Sequence, residues 1–273
     1  MRRKILITGA AGRIGSCLAE GLRSSNRYDV IATDVNADPG GGIIKLDMTD
    51  APAVEAALQG VDTVLHFGWA KDEGDFLGKV LPVNVAGAYH VYEGARKGGV
   101  ARVIFASSNH ATGFCRVGEK VAPLDHRPDS FYGLSKSYIE LLGRFYADQY
   151  GISSFNIRIG NFPVDDRPHS ERAAHIWISR RDMVHLAECC IEADPSIKFL
   201  TLYGTSANDG NYYDIGYLTE LIGYRPSDNA AEVPAIQTPG EKDMKHDIGE
   251  FQGGPNVRMA ERCVETSGGE RRD

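Results

Sequence analysis

Tyr132 and Lys136 stand four residues apart within 130–150, a stretch whose apolar spacing predicts a long helix. Side chains at that spacing leave one helix face about a turn from each other. A lysine ammonium so placed favours the ionised phenol and draws a tyrosine down from its usual pKa of about 10 towards the range of a working base. Ser108 follows a predicted strand, 102–106, and can hold a substrate hydroxyl by a hydrogen bond. Taken alone, a Tyr-x-x-x-Lys pair commonly marks a solvated helix face. The serine and a glycine-rich loop upstream turn the reading towards proton transfer beside a bound dinucleotide.

That loop is Lys4-Ile-Leu-Ile-Thr-Gly-Ala-Ala-Gly-Arg-Ile-Gly15. An apolar run suited to a buried parallel strand stops at Thr8, three glycines follow, and an amphipathic run begins. Gly9 permits the turn, Gly12 removes a side chain that would block a pyrophosphate, and Gly15 lets the helix lie close on the strand. The N–H groups of the helix start, with Arg13 and Ile14 beside them, then face phosphates. A second strand is predicted over 28–33. Asp34 ends it about 20 residues beyond the loop, where an acid accepts both ribose hydroxyls, with Val35 next to it. The bland alternative is that Asp34 only starts a turn.

Positioning these groups requires a regular alternation of strands and helices. Residues 43–46 read as a short strand ending at Asp47 and Met48, where an adenine would pass. Residues 51–58 suit a helix, and 61–66 a fourth strand running into Phe67 and Gly68, whose backbone can approach a cofactor. A helical stretch over 75–98, carrying Asn84, is expected to break at Pro82. The fifth strand, 102–106, delivers Ser107, Ser108, Asn109 and His110 to the carboxyl edge of the sheet, where open α/β sheets bind ligands. A sixth strand, 153–159, ends at Ile159. Residues 161–179 lose periodicity and gather Asn161, His169 and Arg172 in what reads as a substrate loop. Ser179-Arg-Arg-Asp182 reads as a capping box before a helix to Ala193, followed by a strand over 199–203 and a short helix over 214–222. Beyond Pro234 the chain is polar and glycine-rich, with Gln252-Gly-Gly-Pro255 in its middle, and is expected to pack on the surface or a neighbour and to fray at its end.

The chain has 273 residues, 42% of them hydrophobic, enough for a sizeable core. A formal charge of −7 and a pI near 5.6 argue against a nucleic-acid surface. Five cysteines, Cys17, Cys115, Cys189, Cys190 and Cys263, are odd in number and lack Cys-x-x-Cys spacing, which fits reduced thiols and no metal site. With no room for a signal peptide before the first strand and no apolar run long enough for a bilayer, the expected location is cytoplasmic. Apolar residues in 84–97 and 135–150 exceed what one sheet face needs and predict a homodimer or higher homo-oligomer.

Thr8-Gly-x-x-Gly-x-x-Gly15, Asp34, Asp47, Asn84, Ser108 and Tyr132-x-x-x-Lys136 together resemble the extended short-chain dehydrogenase/reductases, the NAD-dependent epimerase/dehydratase family, over residues 4–225. Phe105-Ala-Ser-Ser-Asn-His-Ala-Thr-Gly113, Tyr132-Gly-Leu-Ser-Lys136, Arg158-Ile-Gly160 and Tyr203-Gly-Thr-Ser-Ala-Asn-Asp209 are similar to its uronate dehydrogenases. The resemblance implies a Rossmann-type α/β fold with a doubly wound parallel sheet. Its expected parts are an NAD-binding core (1–160), a small substrate-binding region with one further strand (161–236), and a tail (237–273). It implies catalysis by Ser108, Tyr132 and Lys136, and NAD held by Gly9, Gly12, Arg13, Ile14, Gly15, Asp34, Val35, Asp47, Met48, Phe67, Gly68, Asn84, Ser107, Tyr132, Lys136 and Ile159. The implied reaction is oxidation of the anomeric carbon of galacturonate or glucuronate to an aldarolactone. Asn109 and His110 would contact sugar hydroxyls, and Arg172 would grip the carboxylate, a task that suits its fork.

Two departures bear on the substrate. Gly68-Trp69-Ala70-Lys71 stands where that group would carry Gly-Gly and a small hydroxyl residue, and Asn161 replaces a serine. A bulky ring and an extra cation beside the sugar leave room for another anionic sugar, such as a 6-sulfonated one, or a neutral one. Nucleotide-sugar epimerases share the same trio but usually carry a larger C-terminal domain.

Overall fold

Ile5 and Ile7 of the first strand pack into one hydrophobic cluster and Leu6 into another, and Ile104 and Ala106 separate from Val103 and Phe105 in the same way. Alternation of this kind means that both faces of the sheet are covered, which is why a central segment such as Ile5-Leu6-Ile7 reads as a continuous apolar run. The computed structural model describes residues 2–37, 40, 42–70, 74–122, 125–234, 250–254 and 257. Seven parallel strands, β1 (Arg3–Thr8), β2 (Tyr28–Asp34), β3 (Ile43–Lys45), β4 (Thr63–His66), β5 (Arg102–Ser108), β6 (Ser153–Ile159) and β7 (Phe199–Gly204), lie in the order β3-β2-β1-β4-β5-β6-β7. The order reverses at β1, so the carboxyl ends of β1, β2 and β4 open a crevice between them, the place where such sheets bind dinucleotides.

One face is covered by α1 (Arg13–Ser24) and α6 (Arg180–Glu192). The other is covered by α2 (Ala51–Ala57), α3 (Gly87–Gly98) and α4 (Phe131–Tyr150). The short α5 (Glu171–His175) and α7 (Leu218–Ile222) lie beyond β6. Ser130 caps α4 by accepting from the Gly133 N–H at 3.1 Å, and Gly151 closes it in a left-handed conformation. No helix among the described residues is long and apolar enough to cross a membrane. Cys17, Cys115, Cys189 and Cys190 are free thiols.

Several boundaries depart from the sequence reading. The helix expected to break at Pro82 continues through it as wide π turns over Phe76–Ala86, in which the Val80 N–H reaches the Asp75 carbonyl at 3.2 Å and the Gly87 N–H reaches that of Pro82. An i→i+5 spacing gives the proline ring a carbonyl arrangement that an α-helix would not. Only half of the expected capping box forms. The Ser179 hydroxyl accepts from the Asp182 N–H at 3.0 Å, but the Asp182 carboxylate turns inward to Ser206, Ser227 and Asp228. Within the segment read as aperiodic, Ser170 caps α5. Lys71 and most of the tail lie outside the described residues.

Candidate active site

The crevice is a cleft of about 710 Å³ along the carboxyl edge of the sheet. At one end, Gly9 has φ +69°, and a Cβ there would meet the Gly68 N at 2.5 Å. The β1 and β4 loops therefore touch through bare backbone. The Thr8 hydroxyl ties them, accepting from the Gly68 N–H at 3.1 Å and sharing a 2.7 Å hydrogen bond with His66 Nδ1. Burial, then the nearby Lys136 charge, lowers the His66 pKa to about 3, so this ring is neutral. Gly12 is the N-cap of α1, and Gly12, Arg13, Ile14 and Gly15 line the cleft with the helix start.

Asp34 ends β2 at the cleft wall with Val35 and Asn36 beside it. Its carboxylate accepts from the Ala11 N–H at 3.1 Å and the Asn36 N–H at 2.8 Å. Asp47 and Met48 line the same end, the Asp47 carboxyl being held below its usual range by hydrogen bonds from the Thr49 backbone and hydroxyl. Phe67, Gly68, Trp69, Ser107 and Ile159 also line the cleft. Asn84 does not. Buried on the π-helical segment, it accepts from the Ala70 N–H and donates to the Ala70 carbonyl, both at 2.9 Å, and so braces the 67–70 loop from behind. A glycine cradle at a helix N-terminus with a carboxylate at the end of the next strand is a donor and acceptor set that fits a dinucleotide with a free ribose diol.

At the other end, α4 contributes Tyr132 and Lys136 to the cleft lining together with Ser108, the last residue of β5. Lys136 is 2% exposed. Its ammonium donates to the Ala106 carbonyl at 2.5 Å and lies 3.6 Å from the Trp69 ring centroid, 4.7 Å from that of Phe105 and 5.3 Å from that of Tyr132. The rings and the carbonyl stabilise the cation, and the cation favours negative charge on the phenol. The Ser108 hydroxyl accepts from the His110 N–H at 3.2 Å. His110 reaches Asp129 Oδ2 through Nδ1 at 2.7 Å, and the Asp129 side chain is fully buried.

Asn109 lines the cleft, whereas Asn161 and Arg172 are not among the residues that line it. Asn161 bridges to Trp177 through its backbone, and its Oδ1 is buried without a partner among the described residues. Arg172, on α5, donates from Nη2 to the Gln252 carbonyl, which also accepts from Asn109 Nδ2 at 3.1 Å. That shared acceptor links Arg172 to Asn109 of the cleft wall. Spacing gave no signal for Asp129 or Gln252, which meet the cleft through distant pairings. For Gln252, the glycines after it are a cue to close backbone approach.

A buried charge network underlies this end. Arg158 of β6 donates from Nε and Nη2 to Glu140 of α4 at 3.1 and 2.7 Å, and the two side chains are 1% and 0% exposed. His126 lies 2.9 Å from the same carboxylate, and the Ser107 hydroxyl donates to it. Burial alone would raise the Glu140 carboxyl, but His126, Arg158 and Ser107 together hold it below its usual range.

Residues 5–205 match the model of the NAD dependent epimerase/dehydratase family. The chain is 39% identical over 250 residues to a uronate dehydrogenase of Pseudomonas putida, covering 88% of this chain and 91% of that one. It is 34% identical to an NAD-dependent glucose-6-phosphate dehydrogenase of Haloferax volcanii, covering 85% and 96%. The crystal structure of uronate dehydrogenase from Agrobacterium tumefaciens superposes with a TM-score of 0.80 at 32% identity, covering 94% of this chain and 97% of that one. With the glycine cradle at the β1 edge and a match over most of its length, this protein belongs to the NAD dependent epimerase/dehydratase family.

Proposed function

We propose that the protein is an NAD-dependent dehydrogenase that oxidises the anomeric carbon of a hexuronate, galacturonate or glucuronate, to its aldarolactone. The observation that carries this reading is the convergence of Tyr132, Lys136 and Ser108 on one end of a cleft whose other end holds the glycine cradle and Asp34. It is supported by the identity to uronate dehydrogenases over most of the chain. Bound NAD supplies the hydride acceptor. Ser108 holds the anomeric hydroxyl, Tyr132 takes its proton as the carbonyl of the lactone forms, and Lys136 offsets the charge on the phenol. Asn109 and His110 bind sugar hydroxyls, with Asp129 fixing the His110 ring. Arg172 pairs with the carboxylate.

NADH formation from galacturonate, glucuronate, 6-sulfonated sugars, neutral aldoses and nucleotide sugars tests this. A hexuronate is expected to be turned over most efficiently. A chain that isomerised a nucleotide sugar without net NADH would belong to the epimerase class instead. A second reading, a 1-dehydrogenase of another anionic sugar, draws on the Trp69 ring at the cleft and on the 34% identity to the Haloferax enzyme.

Three expectations follow from named groups. The extra 2′-phosphate of NADP would meet the Asp34 carboxylate at the cleft wall, so NAD should be preferred by roughly 10²-fold or more. Asp34→Ala should narrow that gap mainly by improving NADP, read as kcat/KM for each cofactor. Arg172→Ala should raise KM for a hexuronate by about 10-fold or more and cost a neutral sugar much less. Equal losses on both would remove the carboxylate role.

The third concerns assembly. On α4, Phe131, Leu134, Tyr138, Leu141 and Phe145 recur every three or four residues on one face and are 37–55% exposed, beside Tyr89 of α3 and Leu77, which is 75% exposed. A continuous apolar stripe of this extent suits an isologous two-fold contact with the same helices of a second copy. Light scattering should give a dimer or a multiple of one at micromolar concentration, and a monomer would count against it. The free thiols suit the reducing cytoplasm as its place of work.

A further inference from the structure

Residues 250–254 lie against the sugar end of the cleft rather than on open surface. Gln252 is 0% exposed, and each polar group it carries is engaged. Its N–H donates to the Cys115 carbonyl at 2.8 Å. Oε1 accepts from the Thr112 and Tyr203 hydroxyls at 2.8 and 3.2 Å, and Nε2 donates to the Arg116 carbonyl at 3.3 Å. Its own carbonyl is the shared acceptor for Asn109 and Arg172. The next two residues require close approach. A Cβ on Gly253 would overlap the Asp129 carboxylate that holds His110, and Gly254 has φ +58° with its Cβ position 2.5 Å from Arg172 Nε.

The guanidinium meets a neutral carbonyl here, so its charge is not offset by this bond. Its Nε is buried without a partner among the described residues. That Nε packs against Gly254, so an incoming carboxylate would be met by the outer nitrogens of the fork, whose geometry suits a planar anion. The residue that holds it sets where the anion binds. We infer that Gln252 is the positioning residue of the acid end of the sugar pocket: its side chain locks a backbone carbonyl that aims Arg172 and Asn109 together at the sugar acid. Gln252 does not itself touch the reacting atoms. It joins the C-terminal segment to substrate selection and so deepens the proposed function, resting on the reading of Arg172 as the carboxylate anchor.

Removing the Gln252 side chain frees the carbonyl and lets the fork swing. Gln252→Ala, Arg172→Ala and the double variant are assayed with galacturonate, glucuronate, a neutral aldose and NAD. Gln252→Ala should raise KM for the hexuronate on the order of 10-fold, with the neutral aldose affected several-fold less and KM for NAD unchanged. In the Arg172→Ala background most of that rise should vanish, because one residue acts through the other. Gln252→Met keeps the volume and loses the side-chain hydrogen bonds. It should reproduce the alanine result, and it carries the comparison if the alanine variant does not fold. Equal rises for hexuronate, neutral aldose and NAD, a rise that multiplies fully with Arg172→Ala, or a methionine variant with wild-type KM would overturn the inference. A wild type inactive on hexuronates overturns the functional reading and the inference with it. An active wild type with an unchanged Gln252→Ala variant overturns the inference alone.

Discussion

Tyr132→Phe is expected to lower kcat by about 10²–10⁴, the usual contribution of a positioned base, while the Kd for NAD changes little. The phenylalanine ring keeps the packing at the start of α4, where Tyr132 lies with its ring 5.9 Å from that of His110. What it removes is the oxygen that accepts the substrate proton in the proposed reaction. Charge shifts from the phenolate to the reacting oxygen during the step, so the neighbours of Tyr132 act most strongly in the transition state and not in the bound ground state. Single-turnover kinetics should accordingly place the loss in the chemical step, with KM for the sugar moving much less than kcat. A variant that kept turnover within a few-fold of wild type would remove Tyr132 from the proton transfer.

The largest effect on stability is expected from Glu140→Gln. Arg158 is nearly sealed from water, and both of its bonds to Glu140 run to a carboxylate at 0% side-chain exposure. Taking away one partner of such a pair leaves an uncompensated buried charge, at a cost of about 3–5 kcal/mol. Denaturant unfolding should register this as a fall in midpoint at nearly constant m. Replacing both residues together, Glu140→Leu with Arg158→Met, should recover much of the loss, since the pair's desolvation penalty goes with it. The pH dependence follows from the direction of the Glu140 shift. Its folded pKa lies below the ordinary carboxyl value of 4.5, so its contribution is fully present above that value and is lost as pH falls through the folded one. Wild-type stability should therefore decline more steeply than that of Glu140→Gln below about pH 4.5. Parallel acid profiles for the two would show that Glu140 is not the group that titrates.

Those two residues differ sharply in how visible they are in the sequence. Tyr132 is found because a helix converts a spacing of four into adjacency, and Ser108 because a parallel strand delivers its last residue to a fixed edge. Parallel strands buried on both faces announce themselves as apolar runs, as β1 and β4 do, whereas β3 is a short, largely exposed edge strand. Glu140 reads as one more charge on a helix, and nothing local says that Arg158 of a strand waits beneath it. Gln252 is further still: its contact with Asn109 spans 143 residues of sequence and passes through a polar stretch that reads as surface. Asn84, expected at the cofactor, instead braces the loop that meets it, a distinction of one layer that periodicity does not resolve. Pro82 misleads for a different reason, because its penalty is calculated for the α-helix and the chain adopts wider turns there.

The seat of Lys136 on the Trp69 ring has an optical consequence. The chain contains two tryptophans. Trp177 is 1% exposed within the core, where its surroundings are set by the fold, while Trp69 lines the cleft with an ammonium 3.6 Å from its ring. Indole emission responds to charge and solvent at the ring, so whatever enters the cleft or moves Lys136 alters the light from one of the two and leaves the other as a constant background. The protein carries its own fluorescent reporter at the junction of its two ends, built into the ring that departs from the Gly-Gly pattern.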